Sequence, residues 1–138
     1  MMTSTLIDTN VLLDLLGGGE HAAWSARAME MAFVSGTIVL SPIVWSELGG
    51  MSKAARTLDN ALSWLRPVRE HLSFDAAFRA GTAHAAYRRQ GGNRERTLPD
   101  FLIGAHAETS GHVLLTRDPK RYRAYFPDLD IIAPDTHP

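Results

Sequence analysis

Four acidic residues, Asp8, Glu47, Asp100 and Asp118, stand where a strand end, a loop or a helix start would present them. Three lie in strongly patterned surroundings: Leu6-Ile7-Asp8-Thr9-Asn10, Leu98-Pro99-Asp100-Phe101-Leu102-Ile103-Gly104 and Leu114-Leu115-Thr116-Arg117-Asp118-Pro119. Glu47 is set among apolar neighbours in Pro42-Ile43-Val44-Trp45-Ser46-Glu47-Leu48. A carboxylate so flanked sits at the edge of a buried face, pairs with arginine, or is aimed into a site. If the fold gathers all four, they repel one another and cannot all stay ionised without a cation. The pattern points to a metal-dependent enzyme.

The elements that must position these acids follow from apolar spacing and punctuation. Residues 5 to 8 read as a short strand, and Thr9 to Leu16 as a helix stopped by Gly17-Gly18-Gly19. A helix over about 20 to 34 precedes a buried strand, Thr37 to Leu40, and Ser41-Pro42 then opens the helix that carries Glu47. Residues 54 to 65 read as helical, Val68 to Ser73 as a weaker strand, and 75 to 90 as a long helix. A polar loop, Gly91 to Arg96, leads to a helix from Pro99 to about Ser110, stopped by Gly111. His112 to Thr116 and Asp130 to Ala133 give two further strands. Strands separated by helices, with no hairpin signal, predict one α/β domain over 1–138: three layers, α/β/α, around a mostly parallel sheet of about five strands. Ligands of such sheets gather beyond the carboxyl ends of the strands, where Asp8 and Asp118 fall.

Each acid also has an ordinary structural role open to it. Asp8 can cap the helix after it, Asp118 a turn begun by Pro119, and Asp100 can complement the positive end of its helix. The six histidines form neither an HExxH pattern nor an i, i+4 pair, so they are expected as scattered surface or partly buried side chains. Trp24, Trp45 and Trp64 fit apolar helical patterns and read as core or interface anchors. The Gly17-Gly18-Gly19 run lacks the ending of a phosphate loop.

Composition narrows the classes. With 138 residues and 45% apolar content, one domain can bury roughly two-thirds of its unfolded surface. The absence of cysteine excludes disulfides, thiolate metal sites and cysteine nucleophiles, so any ion must use oxygen or imidazole. No signal-peptide pattern and no apolar run of about 20 residues occur, and the chain is expected to be cytoplasmic with no membrane association. Net charge is −1, yet 12 of the 14 basic residues are arginine and nine lie between Arg79 and Arg123. Arg88, Arg89, Arg94, Arg96 and Arg117 are therefore candidate contacts for nucleic-acid phosphates.

Taken together, the four acidic contexts resemble the PIN-domain ribonucleases, most closely the VapC-type toxins of bacterial toxin-antitoxin pairs. The resemblance runs over nearly the whole chain: a strand ending in Asp-Thr-Asn, a Ser-Pro-initiated helix carrying Glu, a Pro-Asp-initiated helix, and Thr-Arg-Asp after the fourth strand. It implies that Asp8, Glu47, Asp100 and Asp118 are the family's acidic quartet, with Thr116 and Asn10 as polar neighbours. It further implies one or two Mg²⁺ or Mn²⁺ ions held by those carboxylates, hydrolysis of RNA phosphodiesters, a VapB-type antitoxin partner, and a homodimer.

Other classes fit less well. A haloacid-dehalogenase-type phosphatase needs a second Asp where Asn10 stands, and a receiver-like phosphoacceptor needs a late lysine after a strand, a place neither Lys53 nor Lys120 takes. A catalytically silent PIN-like module that binds RNA or protein is the alternative, and the intact quartet speaks against it.

Overall fold

A run of residues that is apolar on both strand faces needs cover on both sides, and Leu6, Ile7, Ile38, Val39, Leu40, Leu114 and Leu115 are all buried. A computed structural model, describing residues 2–138, places them in the middle of a five-stranded, all-parallel sheet. The chain runs β1 (Thr3–Ile7), α1 (Thr9–Gly17), α2 (Ala22–Ser35), β2 (Gly36–Leu40), α3 (Pro42–Gly49) and α4 (Ala55–Leu62) with a 3₁₀ turn at Ser63–Leu65. It continues through β3 (Val68–Arg69), α5 (Phe74–Arg89), α6 (Leu98–Ser110), β4 (Val113–Leu115), α7 (Lys120–Arg123) and β5 (Ile131–Ile132). Among the described residues, no helix is long and apolar enough to cross a membrane.

The strand order β3-β2-β1-β4-β5 reverses direction at β1. From β1 the chain steps outward to β2 and β3, then returns through α5 and α6 to β4 on the other side. Right-handed crossovers send those two journeys over opposite faces, giving the layered α/β architecture expected from the sequence. The register pairs Leu6 with Val39 on one side and Ile7 with Leu115 on the other. Asp8 and Thr116 thereby leave neighbouring strands at the same level, in the crevice where the topology switches.

Most elements shift by a residue or two at their ends, and two differences from expectation go further. The strand expected over Val68 to Ser73 stops after Arg69, because Ser73 is used as the cap of α5, its hydroxyl accepting from the Ala76 amide at 3.0 Å. The turn expected after Pro119 continues as α7, whose Tyr122 is fully buried. Close approach of α6 to this segment depends on Gly104: a Cβ there would stand 2.6 Å from the Phe126 ring. Leu58, Leu62 and Leu65, spaced as one stripe, all enter the core.

Candidate active site

Asp8 follows β1 and is the N-cap of α1, its Oδ1 accepting from the Thr9 amide at 2.8 Å. Its other oxygen accepts from the Thr116 hydroxyl at 2.7 Å and the Tyr122 hydroxyl at 2.8 Å. Capping and site-building are thus one role, since the cap points the carboxylate into the crevice. Burial pushes the Asp8 carboxyl above the ordinary aspartate range; its three donors pull the other way, and the nearby Asp100 charge raises it further. Tyr122 is held well above the usual phenol range by burial and by the Asp8 charge, so it stays a donor.

Asp100 sits in the first turn of α6 and reaches back to the helix entry, accepting from the Thr97 amide at 3.0 Å. Like Asp8 it is buried, at 7% exposure. Its Oδ1 accepts from the Arg121 guanidinium at 3.3 Å, and Arg121 Nε stands 2.7 Å from Asp118 Oδ2. One arginine from α7 therefore bridges two acids of the quartet. Desolvation opposes the Arg121 charge, but Asp100 and Asp118 outweigh it and hold the guanidinium above its ordinary range. Glu47, exposed on α3, accepts from the Thr9 hydroxyl at 2.6 Å, one residue from Asp8.

Asn10 and Thr116 knit the two strand exits together. The Asn10 carbonyl oxygen accepts from the Arg117 amide at 3.2 Å, its amide group approaches the Thr116 hydroxyl at 3.5 Å, and that hydroxyl accepts from the Asp118 amide at 3.0 Å. All six residues singled out for catalysis thus lie in or beside one crevice.

The arginines divide. Arg88, Arg94 and Arg96 line a surface depression with Thr97 and Leu98, and Arg96 also lines its neighbour with Asp118, Lys120 and Arg121. Arg96 lies over the rings of Tyr87 and Tyr125 at 5.5 and 5.9 Å. Arg89 borders a different depression, beside Ala77 and Phe78. Arg117 faces the other way, its Nε and Nη2 engaging both oxygens of buried Asp14. It braces the loop rather than offering a free charge.

The donor set suits a hard cation: carboxylate oxygens, hydroxyls and an amide, with no sulfur or imidazole among them. Asp8 and Asp100 are buried and electrostatically coupled, which a divalent ion between them would relieve. Among the described residues, no three of the four acids bring ligand oxygens within 4.8 Å of one another. This arrangement fits Mg²⁺ or Mn²⁺ bound by one or two carboxylates and water, the usual habit of Mg²⁺. Tyr122, Arg121 and Asp14 were not singled out from sequence. Only the Arg-Asp spacing of Asp118 and Arg121, i to i+3 on a helical turn, could have flagged one of them.

The histidines expected to be scattered are not all so. His106 and His112, both buried, converge on Glu70. Their spacing of six spans a helix end, which an i, i+4 search cannot see.

A family model described as the PIN domain matches residues 5–127. No curated protein sequence matches the chain. Among solved structures, the chain is similar to VapBC2 from Rickettsia felis, bound to a DNA fragment from its promoter, with TM-score 0.74 and 21% identity over 95% of this chain and 98% of that one. It is similar also to VapBC-1 from nontypeable Haemophilus influenzae, with TM-score 0.72 and 20% identity over 95% and 98%. A toxin-antitoxin complex from Klebsiella pneumoniae gives TM-score 0.68 and 26% identity over 93% and 95%.

Proposed function

The chain belongs to the PIN-domain family, and from that premise we propose that it is a divalent-metal-dependent endoribonuclease, the VapC-type toxin of a toxin-antitoxin pair. The observation that carries this reading is the meeting of Asp8, Asp100 and Asp118 around the β1/β4 switch point, two of them buried.

Asp8 and Asp100 would hold Mg²⁺ or Mn²⁺ directly, with Asp118 and Glu47 as ligands or through water. When bound, such an ion would supply charge neutralisation for the phosphodiester and lower the pKa of a water. The chain's own groups do the rest. Thr116 and Tyr122 fix the orientation of Asp8. Thr9 holds Glu47 at the rim, where its carboxylate can orient or accept a proton from a water. Arg96, Arg94 and Arg88 offer cations to the RNA backbone beside Asp118.

Supporting an antitoxin partner, the structural relatives named above were solved as toxin-antitoxin complexes. A homodimer is part of the same proposal: Phe74 and Phe78, one turn apart on α5, are 95% and 76% exposed and would be covered by a second chain. The protein would act in the cytoplasm, where its RNA substrate is.

The alternative, a silent binding module, draws on one observation, the Arg121 cation already shared by Asp100 and Asp118. Expression in a bacterial host separates the two. The toxin reading predicts growth arrest with RNA cleavage, relieved by co-expressing the adjacent small gene product, and relieved equally by Asp8→Asn. Growth arrest that persists in Asp8→Asn favours the binding module.

A further inference from the structure

Glu70, His106 and His112 converge from three separate elements. Glu70 lies one residue past β3, His106 in the middle of α6, and His112 just before β4. The Nε2 atoms of His106 and His112 stand 2.8 and 2.7 Å from the same Glu70 oxygen, and the three donor atoms lie within 4.8 Å of one another. His112 enters at the amino end of β4, opposite to the end from which Thr116 and Asp118 depart. The Gly111 cap of α6, with φ of +71°, turns the chain back so that this ring meets the one on the helix.

Two features of this cluster suit an ion rather than a hydrogen-bonded triad alone. His112 Nδ1 is 2.6 Å from the Ser4 hydroxyl, the outer partner that orients a ligating imidazole and leaves Nε2 directed inward. His106 likewise directs Nε2 at the same Glu70 oxygen from within the core, so both imidazoles and the carboxylate face one point. The imidazoles are 1% and 9% exposed, while the Glu70 side chain is 35% exposed and gives an ion a way in. None of the three residues is used by the nuclease reading.

We propose that Glu70, His106 and His112 form a second metal site, for a divalent transition ion of the Zn²⁺ class, with two imidazole nitrogens and one carboxylate oxygen as ligands and the remaining position left to water. Imidazole-rich sets select Zn²⁺ and its neighbours over Mg²⁺, so the two sites draw on different ions. Ligands about 2.0–2.2 Å from a tetrahedral ion stand about 3.3–3.5 Å apart. Glu70, the most exposed of the three, must therefore withdraw by roughly half an ångström. The ion would tie the exit of β3 to α6, the helix that carries Asp100, and to the β1/β4 pair through Ser4.

The test is titration of untagged, metal-stripped protein with Co²⁺, read by its visible absorption, followed by displacement with Zn²⁺. One equivalent with the intense bands of a four-coordinate site is expected. Affinity should fall about tenfold or more in Glu70→Gln, at the open side of the cluster, and in His112→Gln, with circular dichroism confirming the fold. Asp8→Asn, which alters only the carboxylate crevice, should keep the intense four-coordinate Co²⁺ bands, and Zn²⁺ at a hundredfold excess over its Kd should raise Tm by about 5 °C or more. Absence of four-coordinate bands, affinity unchanged in both ligand variants, or loss of the four-coordinate bands in Asp8→Asn would each overturn the proposal. This outcome is independent of whether the protein cuts RNA.

Discussion

The Tyr122 hydroxyl donates to Asp8 Oδ2 at 2.8 Å, so a fully buried side chain of α7 holds the carboxylate at the end of β1. Tyr122→Phe keeps the ring and removes the donor. Loss of a hydrogen bond to a charged, buried acceptor should cost about 1–3 kcal/mol in urea unfolding at pH 7. With one fewer donor the Asp8 carboxyl rises further, so the acid limb of the pH–cleavage profile should move to higher pH. An unmoved limb would mean that Asp8 does not set it.

Asp8 also makes stability depend on pH in a definite sense. Its folded pKa is raised by burial above the unfolded value of about 3.9. The folded state therefore keeps a proton that the unfolded state has lost, and stability falls as pH rises from about 4 toward the folded pKa. In EDTA, Asp8→Asn should lack this decline and melt at or above the wild-type temperature at neutral pH. Mg²⁺ should stabilise the wild type and leave the variant unchanged. A variant that melts well below wild type in EDTA would contradict the assigned sign.

Arg121 competes for the oxygens an ion would use, reaching Asp100 at 3.3 Å and Asp118 at 2.7 Å. Both Arg121 and Asp118 are more than two-fifths exposed, so the pair is worth about 1 kcal/mol or less. Arg121→Gln should tighten Mn²⁺ binding by up to about tenfold in calorimetry, since about 1.4 kcal/mol is one decade. Weaker binding in the variant would make Arg121 a support of the ion site and not a rival to it.

What was legible in the sequence is what local rules control. Asp8 and Ser41 sit at helix entries because capping chemistry is written in neighbouring residues, and the apolar runs around Leu6, Val39 and Leu114 mark buried parallel strands. The bridging role of Arg121 was not legible, because Lys120–Arg123 is too short to carry a periodic pattern and its partner Asp100 lies 21 residues away. Arg117 looked available until the fold set it on Asp14, 103 positions off. Glu70 meets His112 across 42 positions for the same reason: tertiary closure has no local signature.

The loop after α5 gives a graded prediction. Arg94→Ala with Arg96→Ala should weaken binding to unrelated RNAs alike and reduce the slope of log K against log salt by about 1–2, as expected when one or two phosphate contacts are lost. Arg117→Ala should instead lower stability, because it leaves the buried Asp14 carboxylate without a counter-charge, with only the Ser25 hydroxyl among the described residues donating to it. A salt slope unchanged in the double variant would remove this loop from the RNA path.

The most direct measurement is cleavage of a defined RNA by purified protein in Mg²⁺ or Mn²⁺, in excess EDTA, and with Asp8→Asn and Asp100→Asn under the same conditions. The account predicts cleavage that needs the divalent ion and falls by about three orders of magnitude or more in either folded variant, equivalent to about 4 kcal/mol of lost transition-state stabilisation. Full cleavage in EDTA, or in Asp8→Asn, would contradict it.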